Sequence, residues 1–464
     1  MKMLTVLFVA SFSVLGSAFA QLPAERQLAR DIFQELININ TSDSVGDNTR
    51  AANAMAARFK AAGFADADVK VLEPAPRKGN LVVRLRGRGA GKPILFLAHL
   101  DVVEARREDW SFDPFEFREL NGYFYGRGTS DDKDGDTMLV TSFLRLKKEG
   151  FQPDRDLILA LTSGEESGVD NGVDWLLKDH HDLVDAEFCV NTDSGGGEIR
   201  NGKRVAFFVQ AAEKGYQSFQ LEVKNAGGHS SLPIPDNAIY RLAQALTRVR
   251  DITFPVHLNE VTRGYLERMS QIETGQLASD LKAATAADPL PGPISRLSKT
   301  AFYNAVLRTT CVATMLSGGH AENALPQTAT ATVNCRLVPG DTAQMVEKAM
   351  KQAIRDPEVV ITALVHASPA PFSPLSPGVM GVIEAAANSL WPGIPTVPLM
   401  ETGATDGRYL RMEGTAVYGV SGVFDDLNDV RAHGKDERVP VESFYEGIEF
   451  YYRLVKGLGA SAAK

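Results

Sequence analysis

Short apolar segments that end in polar residues recur along the first half of this chain, and they constrain its fold more than any other feature. Four of them, each bounded by turn residues, read NLVVRLRG, PILFLAHLDVV, LILALTS and AEFCVNTDS. Helical patterns lie between them, for example at residues 135–148 and 169–183. Strands that alternate with helices predict an α/β fold, with a mixed, mostly parallel sheet and helices on both of its faces.

The length of the chain predicts more than one domain. Its 464 residues exceed what one hydrophobic core holds, because cores stop growing beyond roughly 250–300 residues. From about residue 215 the α/β pattern gives way to strand-like segments and a long helical tract, and it returns after about residue 365. We therefore predict a discontinuous α/β domain, residues 21–212 and 366–464, interrupted by a smaller α+β domain, residues 213–365.

The first 20 residues have the pattern of a cleavable signal peptide. They contain Lys2, an apolar stretch over residues 3–15, and Ala18 and Ala20 around Phe19. A membrane anchor is the alternative, but the apolar stretch is short for a span and polar sequence follows at once. We therefore expect a secreted or periplasmic protein with no membrane attachment after cleavage.

Charge and cysteine content limit the partners and the chemistry. The chain has 49 Lys and Arg against 58 Asp and Glu, a formal charge of −9, which argues against a nucleic acid partner. Cys311 and Cys335 lie in two strand-like segments and could form a disulfide, which an oxidising compartment permits. Two small buried apolar side chains are an equal alternative. No cysteine has the CxxC spacing of a zinc or redox site.

Histidines and carboxylates concentrate at the ends of the apolar segments, where open α/β sheets bind their ligands. In chain order these residues are His99, Asp101, Asp131, Glu165, Glu166, Asp193 and His433. Imidazoles and carboxylates suit Zn²⁺, and a bridging carboxylate can hold two ions roughly 3.5–4 Å apart. Of the adjacent Glu165 and Glu166, one could bind metal while the other takes a proton from water. The sequence therefore predicts a dinuclear zinc site.

These ordered motifs resemble the M20 metallopeptidases, the zinc exopeptidases and amidohydrolases that include carboxypeptidase G, carboxypeptidase S, aminoacylase and acetylornithine deacetylase. The resemblance implies an enzyme with two Zn²⁺ ions, for which Co²⁺ or Mn²⁺ could substitute. The implied ligands are His99 and Asp193 on one ion, Glu166 and His433 on the other, and Asp131 as the bridge. It also implies that Asp101 orients His99 and that Glu165 is the general base.

The same resemblance assigns the inserted domain a role as a lid and dimerisation domain. His229 in GGHSS matches the residue that stabilises the oxyanion, in dimeric members from the opposite subunit. Asn323 in ENALP and Arg336 in NCRLVPGD match lid positions that grip the substrate, the arginine by its carboxylate. Thr405 and Asp406 resemble a loop near the active site with a supporting role. We expect a homodimer through the lid that acts on small peptides or N-acyl amino acids with a free carboxylate.

The residues leave the choice among dipeptidase, carboxypeptidase and N-acyl-amino-acid amidohydrolase open. An aspartate at position 193 favours a dipeptidase, whereas the helical tract near residues 255–300 is similar to the carboxypeptidase S branch. A non-catalytic binding protein on this fold is disfavoured because none of the implied ligands is missing. A serine hydrolase is disfavoured because neither Ser163 nor Ser230 lies in a Gly-x-Ser-x-Gly turn.

Overall fold

The computed structural model describes residues 22–89, 91–286, 288–364 and 370–460. The predicted signal peptide, residues 1–20, and the predicted boundary between residues 365 and 366 lie outside these ranges. Among the described residues, no helix combines the length and the apolar character needed to cross a membrane.

The described residues form fourteen α-helices. They are α1 Ala24–Ile37, α2 Asn48–Ala61, α3 Lys133–Lys148, α4 Gly172–Asp179, α5 His181–Val184, α6 Ala238–Arg250, α7 Glu260–Ile272, α8 Gly275–Ala284, α9 Pro291–Leu297, α10 Ala301–Leu307, α11 Ala343–Ile354, α12 Pro377–Leu390, α13 Gly407–Met412 and α14 Val441–Ala460. Polar side chains that accept hydrogen bonds from first-turn amides begin several of them, at Asp47, Asn171, Asn237, Asn259 and Thr342.

The same residues form nineteen β-strands. They are β1 Val69–Leu72, β2 Asn80–Leu85, β3 Gly91–His99, β4 Arg118–Leu120, β5 Tyr123–Tyr125, β6 Arg155–Thr162, β7 Phe188–Asn191, β8 Gly196–Arg200, β9 Lys203–Glu213, β10 Gly215–Lys224, β11 Gly228–His229, β12 Thr310–Gly318, β13 Ala324–Leu325, β14 Thr328–Leu337, β15 Val359–Ala363, β16 Thr396–Glu401, β17 Ala416–Gly419, β18 Phe424–Asp426 and β19 Arg438–Pro440.

A ten-stranded mixed sheet forms the centre of the fold. Its order is β1-β2-β6-β3-β7-β17-β9-β8-β18, with β16 paired to β9. Strands β6, β3, β7 and β17 run parallel to one another, and antiparallel pairs flank them. This arrangement confirms the predicted α/β fold class with a large, mostly parallel sheet.

Side chains of the central strand β3 alternate between two hydrophobic cores. Ile94, Phe96 and Ala98 pack into the core that contains residues of α1, α3, α12 and α14. Leu95 and Leu97 point the other way, toward residues of α4 and α13. This period of two is what a strand buried on both faces requires. Helices therefore cover both faces of the sheet, and ligands are expected at the carboxyl ends of its parallel strands.

A second, antiparallel sheet of four strands has the order β12-β14-β10-β15 and packs against α6 and α11. Cys311 in β12 lies directly opposite Cys335 in β14. The two residues form a disulfide, which decides between the two alternatives that the sequence left open.

Helices α7 to α10 pack on the large sheet rather than on the small one. Tyr265, Leu266 and Met269 of α7 share a core with Ala206 of β9 and Val397 of β16. The predicted division assigned this tract to the inserted domain, and its boundaries stay a prediction. Helix α6 therefore packs on the small sheet, α7 to α10 pack on the large sheet, and the chain returns to the small sheet at β12.

Candidate metal centre and active site

Three neighbouring parallel strands, β6, β3 and β7, bring acidic and imidazole side chains to one edge of the large sheet. His99 is the last residue of β3, Glu165 and Glu166 follow β6, and Asp193 follows β7. The carboxyl ends of parallel strands meet at the same edge, so residues far apart in sequence become neighbours.

Asp131, just before α3, joins two of these residues in a first group of candidate metal ligands. Nε2 of His99 lies 3.0 Å from Oδ1 of Asp131 and 3.9 Å from Oδ2 of Asp193. The three candidate ligand atoms lie within 4.8 Å of one another. The side chain of His99 is 2% exposed, whereas those of Asp131 and Asp193 are about one-fifth exposed, at 19% and 22%, so solvent reaches this group from one side.

Asp131 also belongs to a second group. Nε2 of His433 lies 3.0 Å from Oε1 of Glu166 and 3.0 Å from Oδ2 of Asp131. The two oxygens of the Asp131 carboxylate thus face different imidazoles, one in each group. His433 comes from the loop between β18 and β19, where it adopts a left-handed backbone conformation with φ +62°. Such a conformation is uncommon outside glycine and is typical of functional positions.

The donor chemistry of the two groups fits a bound cation. Burial raises the pKa of Asp193 well above its ordinary value, and neighbouring carboxylates add to that shift. Although burial opposes it, hydrogen bonds from His433 and His99 hold the pKa of Asp131 below its usual range. Crowded carboxylates of this kind repel one another unless a cation compensates them, and nitrogen and oxygen donors together suit divalent transition metals.

Asp101 contacts its neighbours through both its backbone carbonyl and its side-chain carboxylate. Its backbone carbonyl oxygen lies 3.0 Å from Nδ1 of His99, which assigns the ring proton to Nδ1 and leaves Nε2 free to bind a metal. Its carboxylate accepts hydrogen bonds from the amides of Glu165, at 3.2 Å, and Glu166, at 3.0 Å. The sequence predicted that the carboxylate of Asp101 orients His99. In the structure the backbone carbonyl of Asp101 makes this hydrogen bond, and the carboxylate oxygen Oδ1 of Asp101 lies 3.8 Å from Nδ1 of His99.

Glu165, like Asp101, lies at this edge of the sheet but belongs to neither group of candidate ligands. Burial raises the pKa of Glu165 to about 9, and the negative charges of Asp406, Glu166 and Asp101 act in the same direction. A bound cation would lower this pKa again, because a positive ion favours the ionised carboxylate. A partly buried carboxyl beside candidate metal ligands is suited to accept and return a proton.

The loop that carries Asp131 is fixed by two buried residues to which the sequence assigned no role. The carboxylate of Glu437 accepts hydrogen bonds from the amides of Gly128 and Ser130 and forms an ion pair with Arg127 at 2.5 Å. Nζ of Lys133 donates to the carbonyl oxygens at the end of α1 and just beyond it. Glu437 lies four residues after His433 and belongs to the same AHGKDE motif. No spacing in the sequence indicated that it would contact the loop of Asp131.

His229 and Asn323 lie side by side, and neither belongs to the two groups of candidate ligands. Strand β11, which contains His229, pairs with β13, and the amide of Ser230 donates to the carbonyl of Asn323 at 3.0 Å. Nδ1 of the exposed His229 accepts from the amide of Ser231 at 3.2 Å, so Nε2 carries the ring proton. Within the described residues of one chain, His229 has no hydrogen bond or ion pair to the candidate ligands.

Arg336 on β14 lies near a second arginine, Arg408, for which no sequence motif indicated a role. Burial, together with the positive charge of Arg408, lowers the pKa of Arg336, and its guanidinium lies 4.8 Å from the centre of the Tyr216 ring. Among the described residues, neither arginine forms an ion pair with a carboxylate. Two half-buried guanidinium groups without a carboxylate partner form a candidate anion site.

Comparisons with known proteins agree with this arrangement. The profile of peptidase family M20/M25/M40 matches residues 95–457. The chain is 31% identical over 371 residues to an N-fatty-acyl-amino acid synthase/hydrolase, PM20D1, of Xenopus tropicalis, covering 78% of this chain and 72% of the relative. It is 24% identical over 417 residues to carboxypeptidase S of Saccharomyces cerevisiae, covering 78% and 71%. A solved structure of similar fold is the M20 family metallo-carboxypeptidase Sso-CP2 from Sulfolobus solfataricus, with TM-score 0.70, 17% identity, and coverage of 92% and 98%.

Proposed function

Because the chain belongs to peptidase family M20/M25/M40 and is therefore an enzyme of the peptidase and amidohydrolase class, we propose that it is a dinuclear zinc hydrolase. Its substrates are small peptides or N-acyl amino acids with a free carboxylate. The observation that carries the proposal is the carboxylate of Asp131, whose two oxygens face two separate groups of candidate ligands. A carboxylate shared in this way is the usual bridge between paired ions.

In this proposal five residues hold the metal. His99 and Asp193 belong to one ion, Glu166 and His433 to the other, and Asp131 to both. When bound, zinc supplies Lewis acidity for the amide carbonyl and lowers the pKa of water at the site. Co²⁺ and Mn²⁺ accept the same donor types, so either could substitute.

Glu165 moves the proton of the reaction. Its carboxylate takes a proton from the attacking water and delivers it to the leaving amine, the two halves of general base and general acid catalysis. Asp101 supports this role because it holds the amides of both Glu165 and Glu166. His229 would face the oxyanion, and its Nε2 proton is available for that hydrogen bond.

Arg336 and Arg408 bind the free carboxylate of the substrate. Among the described residues neither guanidinium forms an ion pair with a carboxylate, which supports this assignment, because the planar fork of an arginine fits a carboxylate. Asn323 directly precedes β13, the strand that pairs with the β11 strand of His229, and in this proposal it contacts the substrate next to the scissile bond. The similarity to the N-fatty-acyl-amino acid synthase/hydrolase PM20D1 makes N-acyl amino acids the first compounds to test.

Hydrolysis of matched substrates tests the proposal. N-acyl amino acids, unblocked dipeptides and the carboxamide of each would be assayed with and without a chelator and with zinc added back. We expect cleavage of the free acids that chelation abolishes and zinc restores. Activity that survives chelation would remove the metal from the mechanism.

Substituting Arg336 by Gln tests the carboxylate site in the same assay. The KM of the free acid should rise about 10- to 100-fold, because a hydrogen bond between charged groups is worth about 1.5–3 kcal/mol. The KM of the carboxamide should stay the same. Arg250, an exposed residue on α6, provides the matched control as Arg250→Gln. Equal losses for acid and carboxamide would contradict the assignment.

A homodimer through the small sheet would complete the site. Strand β12 is an edge strand, and Val312, Met315 and Leu316 on it are 61–71% exposed. Ile239 and Tyr240 on α6 add exposed apolar surface. A long apolar edge strand is a surface that soluble proteins cover. Pairing this edge with a second copy supports delivery of His229 in trans.

Export from the cytoplasm completes the proposal. The Cys311–Cys335 disulfide supports a secreted or periplasmic location, because disulfides persist in oxidising compartments. Intact mass of the exported protein tests it: the mature chain should begin at Gln21. A full-length mass in the exported fraction would contradict cleavage of residues 1–20.

A further inference from the structure

The turn that carries Glu165 and Glu166 is held from two opposite sides. Asp101 fixes the first side by accepting the amides of both glutamates. Asn171, at the far end of the same loop, fixes the second side. Its Nδ2 donates to the carbonyl oxygen of Gly164 at 3.2 Å, and its Oδ1 accepts the amide of Asp174 to begin α4.

Asn171 is in turn held by Asp406, a residue from a distant part of the chain. Nδ2 of Asn171 donates to Oδ1 of Asp406 at 2.5 Å. The other oxygen, Oδ2, accepts the hydroxyl of Thr162 at 3.4 Å, at the end of β6. Asn171 is 5% exposed and Asp406 3% exposed, so water does not compete for these hydrogen bonds. Hydrogen bonds to a charged acceptor inside a protein are among the stronger ones.

The loop before α13 keeps Asp406 in this position. The amide and hydroxyl of Thr405 both donate to Oε2 of Glu213, at 2.9 and 3.0 Å. Oε1 of Glu213 lies 3.3 Å from a guanidinium nitrogen of Arg411. Glu213 is the last residue of β9, so buried hydrogen bonds on either side of the Thr405–Asp406 peptide link connect the large sheet to the turn of the glutamates.

We propose that Asp406 is a positioning residue that fixes the Glu165–Glu166 turn through Asn171, an inference that rests on the proposed roles of these glutamates. Gly164 has a φ of +84°, so the chain reverses sharply just before Glu165. Rotation of this turn moves both carboxylates, and a displacement of about 1 Å can cost roughly 100-fold in rate. Among the described residues, Asp406 forms no hydrogen bond or ion pair with Glu165 or with a candidate metal ligand.

Four variants test the proposal, each assayed for kcat and KM and for hydrogen exchange of amides 164–171 without metal or substrate. Asp406→Ala and Asn171→Ala remove the hydrogen bond between Asp406 and Asn171, which we call the clamp. Asp406→Asn keeps an oxygen that can accept a hydrogen bond from Nδ2 of Asn171. Asp280→Ala is the matched control, since Asp280 is equally buried, at 4% exposed, and among the described residues its carboxylate bonds to Gln276 and Arg296 and not to this turn. We expect kcat to fall about 100-fold in both clamp variants, with KM little changed. Amides 164–171 should exchange faster in these two variants.

The conservative variant separates positioning from a general loss of structure. Asp406→Asn should keep kcat within a few-fold of the parent, and Asp280→Ala should lower stability without changing kcat. An Asp406→Asn variant as impaired as Asp406→Ala, or unchanged exchange in both clamp variants, would overturn the proposal. If Asp406→Ala does not fold, Asn171→Ala decides by the same two readouts. Because exchange needs no activity, it tests the clamp even where the proposed reaction is not detected.

Discussion

At the scale of single residues, Asp101 illustrates how local geometry changes an expected contact. The sequence predicted that its carboxylate orients His99, because residues two apart on a strand point to the same side. Strand β3 ends at His99, however, so the alternation does not extend to residue 101. The backbone carbonyl oxygen of Asp101 accepts the hydrogen bond from His99. The carboxylate of Asp101 instead accepts hydrogen bonds from the Glu165–Glu166 turn.

Glu165→Gln tests the assignment of the general base. The amide keeps the size of the side chain but cannot take a proton, so kcat should fall by about 10²–10⁴-fold while metal content and stability persist. Turnover and metal analysis of the same preparation measure both quantities. Glu442→Gln, at an exposed ion pair with Arg26, is the control. Turnover close to that of the parent would rule out this role.

At the scale of elements, strand ends were predictable and loop partners were not. The apolar segments indicated where β3, β6 and β7 end, and that was enough to bring His99, Glu166 and Asp193 to one edge. Arg408 carried no such signal, because it lies on the short helix α13 while its partner Arg336 comes from the small sheet. Its proximity to Arg336 depends on tertiary packing, which no periodicity in the sequence records.

The buried residue Lys214 lies between β9 and β10 and contacts the segment between α10 and β12, the two places where the chain passes into the small sheet. It predicts how the free energy of unfolding depends on pH. Lys214 lies just before β10, and its Nζ donates to the carbonyls of Ala305 and Arg308 and to the hydroxyl of Thr310, which begins β12. Burial, together with the charge of Arg336, lowers the pKa of Lys214 to about 7. The unfolded chain therefore binds more protons between pH 7 and about 10.4, and the free energy of unfolding should rise with pH there.

Replacing Lys214 by Met removes this contribution. Below the folded pKa both states carry the proton, so the slope should vanish there; above it, Lys214 adds at most about 1.4 kcal/mol per pH unit. Denaturant unfolding of parent and Lys214→Met at several values between pH 7 and 10 measures the difference. Lys203→Met, at an exposed position of β9, should keep the slope of the parent. Identical slopes in parent and Lys214→Met would contradict the prediction.

At the scale of the whole molecule, the resemblance to the M20 metallopeptidases that the motifs indicated is confirmed. The packing of α7 to α10 was not predictable. The sequence indicates that an amphipathic helix has an apolar face, but not which sheet that face meets. These helices follow β10 in the chain and yet share a core with β9 and β16, because Tyr265 and Leu266 find apolar partners there.

Mixed dimers test whether His229 acts in trans. Glu165→Gln and His229→Ala should each be nearly inactive alone. After subunit exchange, a mixed dimer has one site with both defects and one with neither. Activity should then recover to about a quarter of the parent value, because half of the dimers are mixed and half of their sites are intact. Each variant exchanged with itself is the control. Activity no greater than the sum of the two variants would argue for action in cis.

The exposed edge of β12 has a consequence for handling the protein. This strand reads TCVATMLSG, contains no charged residue and is exposed over most of its length. Native edge strands usually carry lysine, proline or a bulge that discourages further pairing. Strand β12 has one such irregularity, a register shift between Ala313 and Met315 in its pairing with β14. An unpaired copy is therefore a template on which other chains can add as strands. Under the proposed dimer, pairing of two copies covers this template, and a lysine at an outward position of β12 should give a single subunit to which further chains do not add.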